Sequence, residues 1–258
     1  MKHTLIILLF CLGFSQLACS QSSQKSDKIA RSDYPSTNSE NSFAIVQLFT
    51  SQGCSSCPPA DRLLKVLNDE SSTDDLIVLS YHVDYWNRLG WKDVFSSEKF
   101  TQKQYQYEGK FHYGSVYTPQ AVVNGAEHTV GSQEDQMRKL IKKYENLDNK
   151  NELSISNVKV EGENLNFDLK FSRSLEGQNL MVAFVKNEQE TSVKRGENGG
   201  SKLISTNIVL DEIAYKLDNE DQEISLKLNK NEIPFTDIIF YTQDKNLIIT
   251  AAKQFSGF

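Results

Sequence analysis

Hydrophobic positions along the chain follow two regimes. Ala44 to Phe49 is an apolar run interrupted only by Gln47, and Leu76 to Tyr81 is a second such run. Short continuous apolar runs read as strands buried on both faces, as in a parallel sheet. Between them Ala60, Leu63, Leu64 and Leu67 recur at helical spacing, with Asp61, Arg62 and Lys65 expected on the opposite, polar face. The three segments predict a strand-helix-strand unit with a right-handed crossover. Phe100, Gln104, Tyr107 and Phe111 then share one helical face, which predicts an inserted helix. Asn124-Gly125 between apolar residues predicts a hairpin. Ser132 to Leu147 reads as a closing helix, with Ser132 as cap, Asp135 at the capping-box position, and Met137, Leu140, Ile141 and Tyr144 on its apolar face.

From Glu152 the period becomes two. Leu153, Ile155 and Val158, then Leu165, Phe167, Leu169 and Phe171, and later Ile224, Leu226 and Leu228 alternate with polar residues. Leu180 to Val185 and Ile238 to Tyr241 are apolar throughout. This pattern predicts an antiparallel all-β, sandwich-like domain over 149–258, after an α/β domain over 42–148. The stretch from Lys194 to Gly200, KRGENGG, is too rich in glycine for a strand. It is either a solvated turn or a cap on a functional cleft.

The N-terminus carries a different signal. Lys2 and His3 precede the apolar run Leu5 to Phe14, which is too short to span a bilayer and suits the core of a signal peptide over 1–19. Gln16-Leu17-Ala18-Cys19 resembles the lipobox of bacterial lipoproteins, with Gln16 where that pattern has an aliphatic residue. Cys19 is then the lipidation site; the alternative is ordinary cleavage with Cys19 as a bystander. Residues 20–41, with seven serines and little that is apolar, read as a polar linker. The expectation is an exported protein, periplasmic or held at a bacterial envelope membrane by the lipid anchor alone. The net charge of -6, without a basic block, argues against nucleic acid as a partner.

Export simplifies the cysteines. With Cys11 and Cys19 outside the folded part, Cys54 and Cys57 remain as a single C-x-x-C pair at the start of the first helix. Unpaired N–H groups and the positive end of the helix dipole stabilise a thiolate there. Cys54 is the expected nucleophile, and Cys57 the thiol that resolves a mixed disulfide. Pro58 and Pro59 are tolerated in a first helical turn, although Pro58 biases Cys57 away from helical angles. Parallel strands gather functional loops at their carboxyl ends, so His82, Asp84, Tyr85 and Trp86, just after the second strand, are expected near the cysteines. His82 is as readily a packing residue as a tuner of the thiolate.

The runs LFTSQGCSSCPPAD, YHVDYWNRLGWKD, YTPQAVVNG and VKRGENGG together resemble an exported bacterial family known as domain of unknown function 1223, described as thioredoxin-like. The resemblance extends from Phe43 nearly to the end and implies a thioredoxin-like fold over 42–148 while leaving the activity open. By that analogy Thr118-Pro119 stands where thioredoxin-like folds place a cis-proline against the C-x-x-C, which adds Pro119 to the catalytic set and Thr118 to the groups that bind substrate or tune the thiols. Departures from thioredoxin are Gly53 in place of a tryptophan, Ser55-Ser56 in place of Gly-Pro, and no carboxylate in the strand before Cys54; Asp84 is the substitute proton acceptor. The expected function is thiol-disulfide exchange without a cofactor, on a disulfide- or thiol-bearing exported protein or with a membrane redox partner. Two alternatives remain: copper(I) binding or delivery through Cys54, Cys57 and His82, and a non-catalytic surface module in which the disulfide is an inert staple.

Overall fold

A computed structural model describes residues 42–71, 75–147, 153–172, 176–228 and 234–258. The expected signal peptide, Cys19 and the 20–41 linker lie outside the described residues.

Strand β1 (Ala44–Thr50) pairs in parallel with β2 (Leu76–His82), in register from Ala44 opposite Leu76 to Thr50 opposite His82. Helix α1 (Pro58–Glu70) makes the crossover between them. The period of two along β1 divides its side chains between two cores. Ala44, Val46 and Leu48 pack with Leu64 and Leu67 of α1 and with Met137 and Ile141 of helix α3 (Glu134–Glu145). Phe43, Ile45 and Phe49 point to the other face, towards Phe100 and Tyr107 of helix α2 (Glu98–Phe111). Burying one phenylalanine of this kind contributes about 2–3 kcal/mol.

Gln47, the polar break in β1, shares the α2 face. Its amide nitrogen donates to the hydroxyls of Tyr81 and Tyr241, each at 3.3 Å, and its carbonyl accepts from Tyr107. The same buried network includes Lys103, which pairs with Glu212 at 2.7 Å. Glu212 in turn accepts from the hydroxyls of Tyr81 and Tyr241. The polar group inside the run is therefore satisfied, as burial requires.

Strand β3 (Gln120–Val123) runs antiparallel to β1 and turns back into β4 (Glu127–Val130). Asn124 (φ 49°) and Gly125 (φ 64°) take the left-handed conformation that the hairpin demands. The Asn124 side chain fastens the turn to β1 by accepting from Ile45 N at 2.8 Å and donating to Phe43 O at 3.2 Å.

After residue 152 the chain forms β5 (Leu153–Glu161), β6 (Asn164–Phe171), β7 (Asn179–Ser192), β8 (Lys202–Lys216), β9 (Asp221–Lys227), β10 (Asp237–Gln243) and β11 (Ile249–Ser256). Here the structure differs from the boundary read at 148/149. One eight-stranded sheet, in the order β11-β10-β7-β8-β2-β1-β3-β4, runs across it. The physical reason lies in β2, whose apolar run needs a neighbour on each side. Ser80 pairs with Ile208 of β8. The seam is reinforced by Ser80 Oγ donating to Thr206 O at 2.9 Å and by Asn207 Nδ2 donating to Val78 O at 3.0 Å. A three-stranded sheet, β5-β6-β9, covers the far end of the large one, where Leu165 and Phe167 meet Leu180 and Phe240.

Two helix starts also depart from expectation. Cys57 adopts helical angles (φ -79°, ψ -35°) despite Pro58. The N–H groups of Ala60 and Asp61 both donate to its carbonyl, and at N1 the proline sacrifices no hydrogen bond. Helix α3 begins at Glu134 after Gln133, with no side-chain cap, so Ser132 does not serve as one. Glu134 and Asp135 in its first turn offset the helix dipole instead.

Candidate functional site

The dithiol turn joins β1 to α1. Cys54 and Cys57 are disulfide-bonded with Cα atoms 5.4 Å apart, and both are fully buried. Cys54 N donates to Ser51 O and Cys57 N to Cys54 O, which closes the turn. The Thr118 hydroxyl donates to Cys54 Sγ at 3.3 Å and itself accepts from Trp86 Nε1 at 2.8 Å. Three segments distant in sequence are thus linked through the Thr118 hydroxyl. Ser56 Oγ lies 3.4 Å from the same sulfur and donates to Thr118 O. A side chain at Gly53 would bring its Cβ to 3.2 Å from Trp86 Cβ, so the missing side chain is what lets the indole approach. Pro119 is buried beside Thr118, and the peptide bond between them is cis.

The Lys194 to Gly200 loop, at the tip of the long β7–β8 hairpin, docks onto this turn. Asn198, nearly buried, donates its amide to Gln52 O at 3.0 Å and to Cys54 O at 2.9 Å. Glu197 Oε2 accepts from Ser55 N at 3.1 Å. Gly196 (φ 78°) lies against Trp91, where an added Cβ would sit 3.1 Å from Trp91 Cβ. Trp91 Nε1 donates to Gln52 Oε1, and Gln52 Nε2 donates to Thr191 Oγ1 on β7.

Behind the turn is a buried titratable group of three. His82 Nδ1 and Asp93 Oδ2 are 2.7 Å apart, and Asp93 also accepts from Gln52 N and Phe95 N. His82 Nε2 is buried and has no hydrogen-bond partner among the described residues. Burial works against the charged form of His82, yet attraction to Asp93, their hydrogen bond and the field of Asp61 hold its pKa above the ordinary value. Burial likewise opposes the charge on Asp93, but His82 and the two backbone donors hold its carboxyl below the ordinary value. Asp61 accepts from Thr50 Oγ1 at 2.8 Å, and burial pushes it up to about 6 despite the lowering influence of His82 and Thr50.

The sequence reading assigned Asp61 to the polar face of α1; in the structure it is 7% exposed. Its position four residues after Cys57 and three before Leu64 was the signal, since those spacings share a helix face. Asp93, in the polar stretch after β2, had no periodic pattern to reveal it. Asp84, the expected proton acceptor, is instead engaged by α2: it accepts from Thr101 Oγ1 at 2.6 Å, and its N–H donates to the same hydroxyl. Tyr85 donates to Gln104 Oε1 at 3.1 Å, and burial raises its hydroxyl to about 12. Trp86 therefore reaches the dithiol through Thr118, and His82 reaches the turn through Asp93 and Gln52. Among the described residues, no three His, Cys, Asp or Glu side chains are grouped to hold a metal ion.

A family model for proteins of unknown function, DUF1223, matches residues 45–240. The chain belongs to the DUF1223 family. The matched span takes in every site residue from Thr50 to Asn198, so the dithiol turn and the loop docked on it fall within the DUF1223 region. The chain is also similar to a crystal structure of a protein from Agrobacterium tumefaciens, with 28% identity and a TM-score of 0.67 over 84% of this chain and 96% of the other. No curated protein matches it.

Proposed function

We propose that this DUF1223 protein is an exported thiol-disulfide oxidoreductase built on a thioredoxin-like fold. One observation carries the reading: Thr118 donates to Cys54 Sγ while accepting from Trp86 Nε1, so that a relay from two separate loops ends on the first sulfur of a dithiol at a helix start. An inert staple has no need of such a relay. The signal-like pattern of residues 1–19 supports export.

In the reducing direction the Cys54 thiolate attacks one sulfur of a substrate disulfide. The Cys54–substrate bond forms, the substrate S–S bond breaks, and the displaced thiolate takes a proton from water. Cys57 then gives up its proton and attacks Cys54 Sγ. The Cys54–Cys57 bond forms and the second substrate thiolate leaves, so two electrons have passed to the substrate. Asp61, one helical turn from Cys57 and raised to about 6, replaces Asp84 as the acceptor of the Cys57 proton. An external dithiol restores the pair. In the oxidising direction the same steps run in reverse.

The test is exchange with a generic protein disulfide in the presence of a dithiol reductant. Cys54→Ser abolishes turnover, and Cys57→Ser accumulates mixed disulfides that a reductant releases. Turnover by the wild type no faster than by reductant alone defeats the reading.

A further inference from the structure

The carboxylate of Glu197 sits where it has no structural obligation. Glu197 is exposed and reaches from the β7–β8 hairpin to the N–H of Ser55, the residue bonded directly to Cys54. Anchoring of the loop is already provided by Asn198, whose amide holds the carbonyls of Gln52 and Cys54. Glu197 therefore adds two things to the turn. It occupies the N–H of the residue that follows Cys54, in the turn ahead of α1, and it sets a negative charge one residue from the cysteine that must carry negative charge to react. Both act against a thiolate: a backbone donor next to Cys54 is taken up, and a like charge opposes the anion.

The geometry points to Glu197 as a positioning residue that destabilises the Cys54 thiolate and so biases the dithiol towards donating electrons. The inference rests on the oxidoreductase reading and gives it a direction. A dithiol whose thiolate is stabilised holds its reduced form and acts as an oxidant. Opposing the thiolate favours the disulfide over the reduced pair and makes the reduced pair the better reductant. The substrate class is then an exported protein carrying a disulfide to be reduced, and an external dithiol re-reduces Cys54–Cys57 with no change in the count of electrons or protons given above.

Other charged groups in the segments around this turn include Asp61 and Arg62 of α1, His82 of β2, Asp84, Arg88, Lys92 and Asp93 after it, and Lys194 and Arg195 on the Glu197 loop. Glu197→Gln leaves all of them in place and keeps a carbonyl acceptor for the Ser55 N–H, so it isolates the charge. The experiment measures the rate of iodoacetamide alkylation at Cys54 against pH, read on the Cys54 peptide by mass spectrometry, in fully reduced full-length chain. Glu197→Gln is expected to lower the apparent Cys54 pKa by about half a unit to one unit at low ionic strength. The difference should shrink in molar salt, because Glu197 is exposed. Equilibration with glutathione should then show the variant more oxidising by up to about threefold. Glu197→Asp, which shortens the reach while keeping the charge, should fall between the two. Titrations of wild type and Glu197→Gln that coincide at low salt overturn the inference. A shifted titration with no disulfide turnover by the wild type upholds the role of Glu197 at Cys54 and defeats the oxidoreductase reading on its own.

Discussion

His82 Nδ1 lies 2.7 Å from Asp93 Oδ2 with both side chains buried, and the same carboxylate oxygen accepts the N–H of Gln52 at 2.8 Å, two residues before Cys54. One carboxylate thus fastens the end of β2 to the start of the dithiol turn. Asp93→Asn removes the charge from a buried pair and leaves His82 without its counter-ion. Breaking such a pair costs about 3–5 kcal/mol. Urea unfolding at pH 6 is expected to show a loss of that order; a loss below about 1 kcal/mol would mean that the pair is neutral in the fold.

The same pair fixes a pH dependence. His82 has a raised folded value, so its contribution is fully present below the unfolded imidazole value of about 6.5 and is lost as pH rises through the higher folded value. Asp93 has a lowered folded value, so its contribution is present above the unfolded carboxylate value of about 3.9 and is lost as pH falls through the folded one. The stability gap between wild type and Asp93→Asn should therefore be widest between about pH 4 and 6.5 and narrow on the alkaline side. Denaturant midpoints over pH 3 to 9 measure it, and a gap that widens steadily above pH 7 contradicts the assignment.

Asp61 titrates with the opposite sign. Its folded value of about 6 stands above the ordinary 3.8, so between these the folded chain binds more protons than the unfolded one and stability falls as pH rises. Asp61→Asn keeps an acceptor for Thr50 Oγ1 and should be more stable than wild type above pH 7 by roughly 2 to 3 kcal/mol, with the two converging below pH 4. As the acceptor of the Cys57 proton, Asp61 also predicts that this variant forms the mixed disulfide at the wild-type rate and resolves it more slowly. Stopped-flow separation of the two steps checks this, and slowing confined to the first step argues for a different acceptor.

What the chain disclosed before its structure, and what it withheld, follows from the range of the interactions. The apolar runs of β1 and β2, the face of α2 and the Asn124-Gly125 turn depend on neighbours a few residues apart, so periodicity carries them. The joining of β8 to β2 depends on Ser80 and Asn207 acting across more than a hundred residues, and no local pattern encodes such a pairing. Cys54, Cys57, Trp86 and Thr118 were legible because C-x-x-C at a helix start, a loop at a strand end and Thr-Pro before a hairpin each have a local signature. Asp61 was hidden by its own charge, since a lone aspartate beside arginine and lysine reads as solvated. Asp93 and Asn198 lie in loops, where only the fold decides which side chain turns inward.

Two glycines lie at opposite ends of β3, Gly131 beside Pro119 at the dithiol end and Gly125 in the hairpin turn at the far end. At Gly125 (φ 64°) an added Cβ would lie 1.8 Å from Leu247 O, a backbone atom in the turn between β10 and β11. That turn is itself tied back to the hairpin by Ile249 N donating to Asn124 O. Neither backbone can yield alone, so Gly125→Ala should cost about 3 kcal/mol or more through the left-handed conformation and the clash together. At Gly131 an added Cβ would meet Leu48 Cδ1 at 2.6 Å and the Cβ atoms of Ala60 and Pro119 at 3.2 Å. Side-chain ends give more readily than backbone, so Gly131→Ala should cost only about 1–3 kcal/mol. Its push, however, falls on Pro119, whose carbonyl accepts the Gly131 N–H at 2.9 Å and whose neighbour Thr118 holds Cys54 Sγ. Thermal unfolding paired with disulfide-exchange rates should then separate the two variants: Gly125→Ala loses stability first, whereas Gly131→Ala stays folded and loses turnover. Equal turnover in Gly131→Ala and wild type would show that the Thr118 contact does not govern the reactivity of Cys54.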